Sequence, residues 1–526
     1  MQADLPVFKA WAPEWLIRAV LFLALVPTFI LLALYASSNT ELAGYYGVEP
    51  TDVQFSLLVY YANFVAFFPF DPRLSGYLLS RQYFVISVFV LILTVWLTTL
   101  VHDFRLFLAL RFVQGIIAST VGSPLLTLIF SRLESNRARA MGYSVFYGAL
   151  LVSGPLSTML SWSVLEVYDV PALFHAFILV QLPGALLLVL ILNKVRLKHR
   201  LPLKDLEWPS WLLFAALLTS LGYVTAYGEQ LYWLESPQIR WALLVALVSA
   251  GGFAVRQLHV KRPYIDLRIF RYRNFCIGAG LFVLFYLFRG TLGIASGYFA
   301  TVLRVEAREM AVLQLATLAG TALGVSVVVR FLLLDTPVRR IWLVGFGLLL
   351  VYHVWMYFLF GPGQRPAAFL LPLFVQGLGV GTLMVPLALF TLSALPPSVG
   401  TAGSFAAVTF RYFGFIGSMM LVSVMQPYWR TAQLASLRAD LLPGTSLVTA
   451  RLQGAQQALQ SHGLPAETAQ RGAVRLLAAA LDAQAQLRYC QNYYALAAAG
   501  LLALLLALLI LPPLHRQVLS FRQQPL

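Results

Sequence analysis

The sequence predicts an all-α polytopic membrane protein with fourteen spanning helices in a 6+2+6 order. Three observations lead there. Apolar runs of spanning length recur along the whole chain. The short loops between them alternate between basic and nearly uncharged. A motif that begins near residue 110 returns near residue 373.

The chain has 526 residues, of which 60% are hydrophobic and 11% charged, with a mean hydropathy of +0.78. Soluble domains carry about 25% charged residues. A net charge of +16 would suit a nucleic-acid partner if the basic residues formed one patch. They lie instead in short loops between apolar runs, so the partner expected from this charge is the lipid bilayer and not nucleic acid. Cys276 and Cys490, the only cysteines, fall at opposite predicted membrane faces, which excludes a disulfide between them.

A spanning helix needs roughly 20 apolar residues. With that ruler the helices fall at 14–37, 53–71, 83–101, 105–130, 140–163, 172–193, 209–228, 239–256, 275–303, 310–332, 340–360, 366–393, 401–426 and 491–513. The first apolar run, Trp15 to Tyr35, lacks a small-residue cleavage site and reads as a spanning helix, not a signal peptide. An even count puts both termini on one side. Lys194, Arg196, Lys198, Arg200 and Lys204 share a loop, as do Lys261, Arg262, Arg268, Arg271 and Arg273, and as do Arg132, Arg137 and Arg139. The alternate segments Ser37–Asp52 and Ser163–Pro171 contain no Lys or Arg. The positive-inside rule makes the basic side, and both termini, cytoplasmic.

One loop is long, about 427–490, and falls on the outer side. Its Ala, Leu and Gln content suits amphipathic helices, the second running into the last membrane helix. It reads either as a cap that packs on the protein itself or as a docking surface.

The repeat organises the chain. Phe112-Val113-Gln114-Gly115 recurs as Phe374-Val375-Gln376-Gly377, and Pro124 as Pro386. Ala140 and Ala402 keep the same offset across a loop. The fourth helix thus corresponds to the twelfth and the fifth to the thirteenth. The domains that follow are 1–200 (six helices), 201–274 (two inserted helices) and 275–526 (six helices with the long loop). Two parallel six-helix halves with a substrate path between them near the midplane define the major facilitator architecture. Gly115 and Gly377 allow close helix approach, and Pro124 and Pro386 kink their helices at matching heights.

Arg111 lies roughly 12 Å into a hydrocarbon core about 30 Å thick. A charge there faces a cavity or a partner. Leu373 holds the equivalent place in the second half, so the repeat itself does not require an arginine. Gln114 is one turn away and is able to share its partner. Arg289 and Arg411 are each candidates to line the cavity, or to pair with carbonyls or snorkel. His353, near the middle of its helix, is either a proton carrier or a packing residue whose ring nitrogens are satisfied; His175 is the weaker candidate. No Asp or Glu sits squarely inside a predicted helix; Glu41, Asp52, Asp71 and Glu229 fall near helix ends. There is no phosphate-binding glycine loop, no metal-spaced Cys/His set and no nucleophile elbow. Neither an enzyme nor a cofactor is expected.

"RFVQG" followed by "GALLVSGP" (Gly148 to Pro155) resembles the fourth- and fifth-helix signatures of drug:proton antiporters in the major facilitator superfamily. The order of "QLPGALL", "GEQLYWLES", "PYIDLRIFRYRNF", "VQGLGVGTLMVPLALFTL" and "TFRYFGFIGS" is similar to its 14-helix EmrB/QacA-type branch. The resemblance implies proton coupling through Arg111, and an export-associated motif at Gly154-Pro155 that begins near Gly148. It implies an amphipathic or hydrophobic small-molecule substrate and an inner-membrane location. It also implies, for the long loop, a periplasmic adaptor and an outer-membrane channel as partners. "SGYLLSRQYF" keeps Gly76, Leu78 and Arg81 of the family's cytoplasmic loop motif, with Ser80 in place of its Asp; the family's first-helix acid is absent. An importer or uniporter of a specific metabolite, and a non-transporting scaffold or sensor, are the alternatives.

Overall fold

The structure, a computed structural model, describes residues 7–75, 77–130, 136–195, 207–260, 263–334, 336–393, 395, 399–440 and 446–510. Gly76, Arg132, Arg196, Lys198, Arg200, Lys204, Lys261 and Arg262 lie outside the described residues, as do 511–513 of the expected last helix.

The described chain is helical nearly throughout. In order the helices are α1 (Glu14–Ser37), α2 (Asn39–Tyr46), α3 (Pro50–Phe67), α4 (Asp71–Leu74), α5 (Ser80–Leu100), α6 (Phe104–Phe130), α7 (Asn136–Leu165), α8 (Val170–Ile191), α9 (Trp208–Tyr227), α10 (Pro237–His259), α11 (Arg273–Thr301), α12 (Ala307–Leu333), α13 (Val338–Leu359), α14 (Leu370–Ser393), α15 (Gly400–Asp440), α16 (Ser446–Ser461) and α17 (Ala466–Ile510). Among the described residues, thirteen helices are long and apolar enough to cross a membrane. The fourteenth, α3, carries Asp52, Gln54, Ser56 and Asn63 in 18 residues. From Ser56 to its end every residue is buried. A helix wrapped in protein needs no lipid-compatible face, so its lower hydropathy is no obstacle.

Helix starts follow local chemistry. Pro50, Pro171, Pro209 and Pro237 occupy first-turn positions, where a missing N–H is harmless. Asp169 accepts a hydrogen bond from the Ala172 N–H at 3.2 Å, and a capping box joins Glu49 and Asp52. That box starts α3 at residue 50, where the apolar ruler placed it at 53. The thirteenth spanning helix differs more. It was expected over 401–426, but α15 continues to Asp440 because "RTAQLASLRAD" is made of strong helix formers. The expected outer loop is therefore a helical hairpin: the end of α15, then α16, then the first turns of α17. Arg430 pairs with Asp482 across it at 3.3 Å. As expected, α17 runs unbroken from the hairpin into the last spanning segment.

The helices form two sets that meet directly where α7 packs on α12 and α14, and the inserted pair is seated against both. In the first set α1 packs on α7 and α8, and α6 on α3 and α5; in the second α14 packs on α12 and α13, and α11 on α15. The inserted α9 pairs with α10 and sits on α3 and α15. There the Tyr412 hydroxyl donates to the Leu218 carbonyl at 2.8 Å.

The two sets meet unevenly. At the end where α1 starts, Phe68, just past α3, and Phe405 of α15 are 5.9 Å apart, edge to face. The main hydrophobic core, which runs along the molecule, draws on both sets and on α9. At the opposite end a second core is built from the second set alone, including Ile294, Phe299, Leu313, Tyr352, Leu373 and Tyr494. Among the described residues it contains no member of the first set. The sets thus touch at the end where α1 starts, while the second core at the opposite end draws on one set only.

Candidate functional site

Arg111 lies on α6 and is 0% exposed. Its guanidinium carbon is 3.5 Å from the ring centroid of Tyr35 on α1 and 4.4 Å from that of Tyr60 on α3. The two rings cage a cation between helices of one set. Nη1 donates to Gln114 Oε1 at 2.8 Å, and Gln114 Nε2 donates to the Thr94 carbonyl of α5 at 3.1 Å. Four helices therefore hold one charge. Nε and Nη2 have no hydrogen-bond partner. The sequence marked Arg111 and Gln114; it gave no sign of Tyr35 and Tyr60.

The second copy of the motif shows what the arginine does locally. Leu373 is packed in the apolar core of α11–α14 and α17. Gln376, the counterpart of Gln114, is 2% exposed, and its Oε1 has no partner. The glutamine oxygen that Arg111 fills in one copy is left empty in the other.

The motif glycines separate into two kinds. A Cβ on Gly115 would lie 2.3 Å from the Tyr60 carbonyl, and one on Gly377 would lie 2.2 Å from the Thr317 carbonyl. These are backbone-to-backbone contacts, α6 on α3 and α14 on α12. Gly320 and Gly324 on α12 meet α14 as closely: a Cβ on Gly320 would lie 2.0 Å from the Phe374 carbonyl oxygen and one on Gly324 2.5 Å from that of Leu378. Sequence reasoning passed over this pair, although its spacing of four was the readable signal. Gly148 and Gly154 differ from the expected packing role. A Cβ on Gly148 would meet only Val325, at 3.7 Å, and one on Gly154 would meet nothing within 4 Å. Around them α7 is packed, with Ala149, Leu151, Ser153 and Pro155 buried, so the free space lies only at the two glycine positions. Pro155 and Pro386 both sit inside continuous helices.

His353 is not brought to Arg111. It is buried in α13, with Nδ1 2.7 Å from the Leu349 carbonyl and Nε2 2.9 Å from Thr291 Oγ1 of α11. Tyr494 of α17 completes that group, donating to the Thr291 carbonyl at 3.0 Å. His175 is exposed on α8. Arg411 is 2% exposed on α15, 5.5 Å from the Tyr147 ring of α7. Arg289 is half-buried on α11, 5.6 Å from the Tyr286 ring. These two arginines stand at the junction of the sets, near Tyr61 of α3. Of the helix-end acids, Asp71 is buried and accepts from the Tyr83 hydroxyl, and Asp52 accepts from Tyr227 at 2.5 Å. Arg81 is half-buried in the first turn of α5, next to Ser80, whose Oγ donates to the Val195 carbonyl at 2.7 Å. Cys276 is exposed, Cys490 is buried, and both are free.

Two packed helix sets of membrane-spanning length, with buried arginines between their helices, have the build of a multi-pass carrier of small molecules. The chain belongs to the Major Facilitator Superfamily, whose family model matches residues 21–419. It is a membrane transporter and not an enzyme. It is 25% identical over 400 residues to the multidrug export protein EmrB of Escherichia coli (strain K12), covering 72% of this chain and 75% of that protein. It is 22% identical over 421 residues to the riboflavin transporter RibZ of Clostridioides difficile (strain 630), covering 76% and 86%. A crystal structure of a POT family transporter in complex with 5-aminolevulinic acid shares the fold with a TM-score of 0.58 at 14% identity, over 80% of this chain and 93% of that one.

Proposed function

We propose that the protein is a proton-coupled exporter of amphipathic or hydrophobic compounds, working by alternating access in a bacterial inner membrane. The observation that carries this reading is the Arg111 cage. A fully buried guanidinium, held by two rings and a glutamine, keeps two donors unfilled. Its repeat counterpart is a leucine, so the fold is built without it elsewhere. Arginine stays charged at any working pH. Arg111 therefore does not itself carry the proton; it fixes a positive potential in the first set and orients the oxygen atoms that enter beside it, with Gln114 as its clamp. The similarity to a multidrug export protein supports the direction of transport.

The moving parts follow from the packing. The division is 1–200, 201–274 and 275–526, with both termini cytoplasmic, so the joined end is the inner one. This conformation is then open outward. Pro155 lacks the N–H of a continuous helix ladder, and Gly148 and Gly154 leave room beside it, so α7 can bend there as the sets rock, while Gly115 and Gly377 keep neighbouring helices locked within each set. Arg289 and Arg411 line the path between the sets. The hairpin of α15, α16 and α17 stands on the outer side, where a periplasmic adaptor leading to an outer-membrane channel would dock.

Vesicles reconstituted with the protein and given a pH gradient test the reading. Substrate-dependent proton movement is the expected result. Flux without proton movement identifies a uniporter or metabolite importer, and the absence of flux for every compound tried leaves a scaffold or sensor.

A further inference from the structure

Arg411 is a buried cation that the coupling site does not use. It lies about 16 Å along α15, at the rise of an α-helix, and so near mid-membrane. Nε and Nη1 have no hydrogen-bond partner. Tyr61 of α3, Tyr147 of α7 and Tyr286 of α11 lie within its electrostatic reach, and no carboxylate among the described residues does. Arg289 reaches the same Tyr61. Two of these helices come from each set, so the cluster straddles the path between the sets. Of these helices α3 and α15 carry single acids at Asp52 and Asp440, close to their ends, and α7 and α11 carry none.

A buried ion with part of its donor set unfilled is unfavourable, because the lost hydration is only partly replaced, here by Tyr147. Cation–π attraction from a ring at 5.5 Å offsets only part of that loss. The deficit differs from that of Arg111, whose two faces are both covered by rings within one set. At Arg411 the unfilled donors lie at the junction of the two sets.

From this we infer that Arg411, with Arg289 beside it, binds the anionic head of the transported compound, and that the substrate class is an organic carboxylate with an aromatic or alkyl body. The planar fork of an arginine matches a carboxylate, with charge-assisted hydrogen bonds to both oxygens. Tyr61, Tyr147 and Tyr286 present ring faces to the apolar body. A cationic amphiphile meets two like charges and is rejected. The inference rests on the transporter reading and names its substrate. An anionic lipid head group has similar chemistry, so the test must separate the two.

The full-length protein in phosphatidylcholine nanodiscs is titrated with biphenyl-4-carboxylate, biphenyl-4-carboxamide and biphenyl-4-yl-trimethylammonium. Wild type is expected to bind the carboxylate at least tenfold more tightly than the amide, and the ammonium least. Arg411→Gln is expected to remove that preference, Arg289→Gln to reduce it about threefold, and Arg411→Lys to keep part of it. Equal wild-type affinity for the three probes overturns the inference without recourse to any variant. So does an Arg411-dependent signal that appears only when phosphatidylglycerol is added and never with the carboxylate, which would assign the site to a lipid. In proteoliposomes, Arg411-dependent carboxylate binding without flux would refute the transporter reading and leave the anion site standing. Flux of the amide or ammonium with no binding or flux of the carboxylate would do the reverse.

Discussion

Arg111 and Tyr35 form a cation–ring contact, 3.5 Å from guanidinium carbon to ring centroid, and they join α6 to α1. Tyr60 closes the other face at 4.4 Å. A flat cation between two rings is a task for arginine and not for lysine, whose ammonium is compact and more strongly hydrated. Arg111→Lys is therefore expected to lose at least tenfold in gradient-driven flux, although it keeps the charge. Tyr35→Phe, which keeps the ring, is expected to retain most flux, while Tyr35→Leu weakens the cage by about 1–2 kcal/mol. Flux in proteoliposomes and the melting temperature of each purified variant check both statements.

Phe68 and Phe405 close the end where α1 starts. A Phe68→Cys/Phe405→Cys pair, made with Cys276→Ser and Cys490→Ala, is expected to join readily with a short bis-methanethiosulfonate and to stop transport. Reduction should restore it. Gel mobility and flux before and after reductant report the outcome.

The motif glycines are expected to part company on substitution. Gly115→Ala and Gly377→Ala force a Cβ against a backbone carbonyl and should cost about 1–3 kcal/mol of stability, the usual range for overpacking. Gly154→Ala meets no neighbour in this conformation. It should leave the melting temperature unchanged and act, if anywhere, on turnover.

His353 has a partner at each ring nitrogen. His353→Asn is expected to lower stability by about 0.5–1.5 kcal/mol, the net worth of a buried hydrogen bond, and to leave the pH profile of flux unchanged. A shifted profile would return this residue to the proton path.

The fold was legible because membrane helices announce themselves by length and hydropathy, and because Phe-Val-Gln-Gly and Pro recur in register at Gly115/Gly377 and Pro124/Pro386. Arg111 was legible because a charge in an apolar run has few uses. Its cage was not. Tyr35 and Tyr60 come from α1 and α3, and no pattern in those helices tells which tyrosine meets α6. Helix α2 was missed because its eight residues contain no apolar run. The tail of α15 was missed because the hydropathy ruler stops where the lipid stops, while helix propensity continues. Gly154 was legible as a motif residue, but only the three-dimensional neighbours reveal that a Cβ there would meet nothing within 4 Å.

The most direct test of the account is uphill transport by Arg111→Ala. Vesicles containing wild type or the variant, matched for inserted and folded protein, receive the same pH gradient and the same labelled amphipathic compound. The account predicts gradient-driven accumulation by wild type and none by the variant, with the variant still folded and still binding the compound. Full gradient-driven accumulation by Arg111→Ala would contradict it.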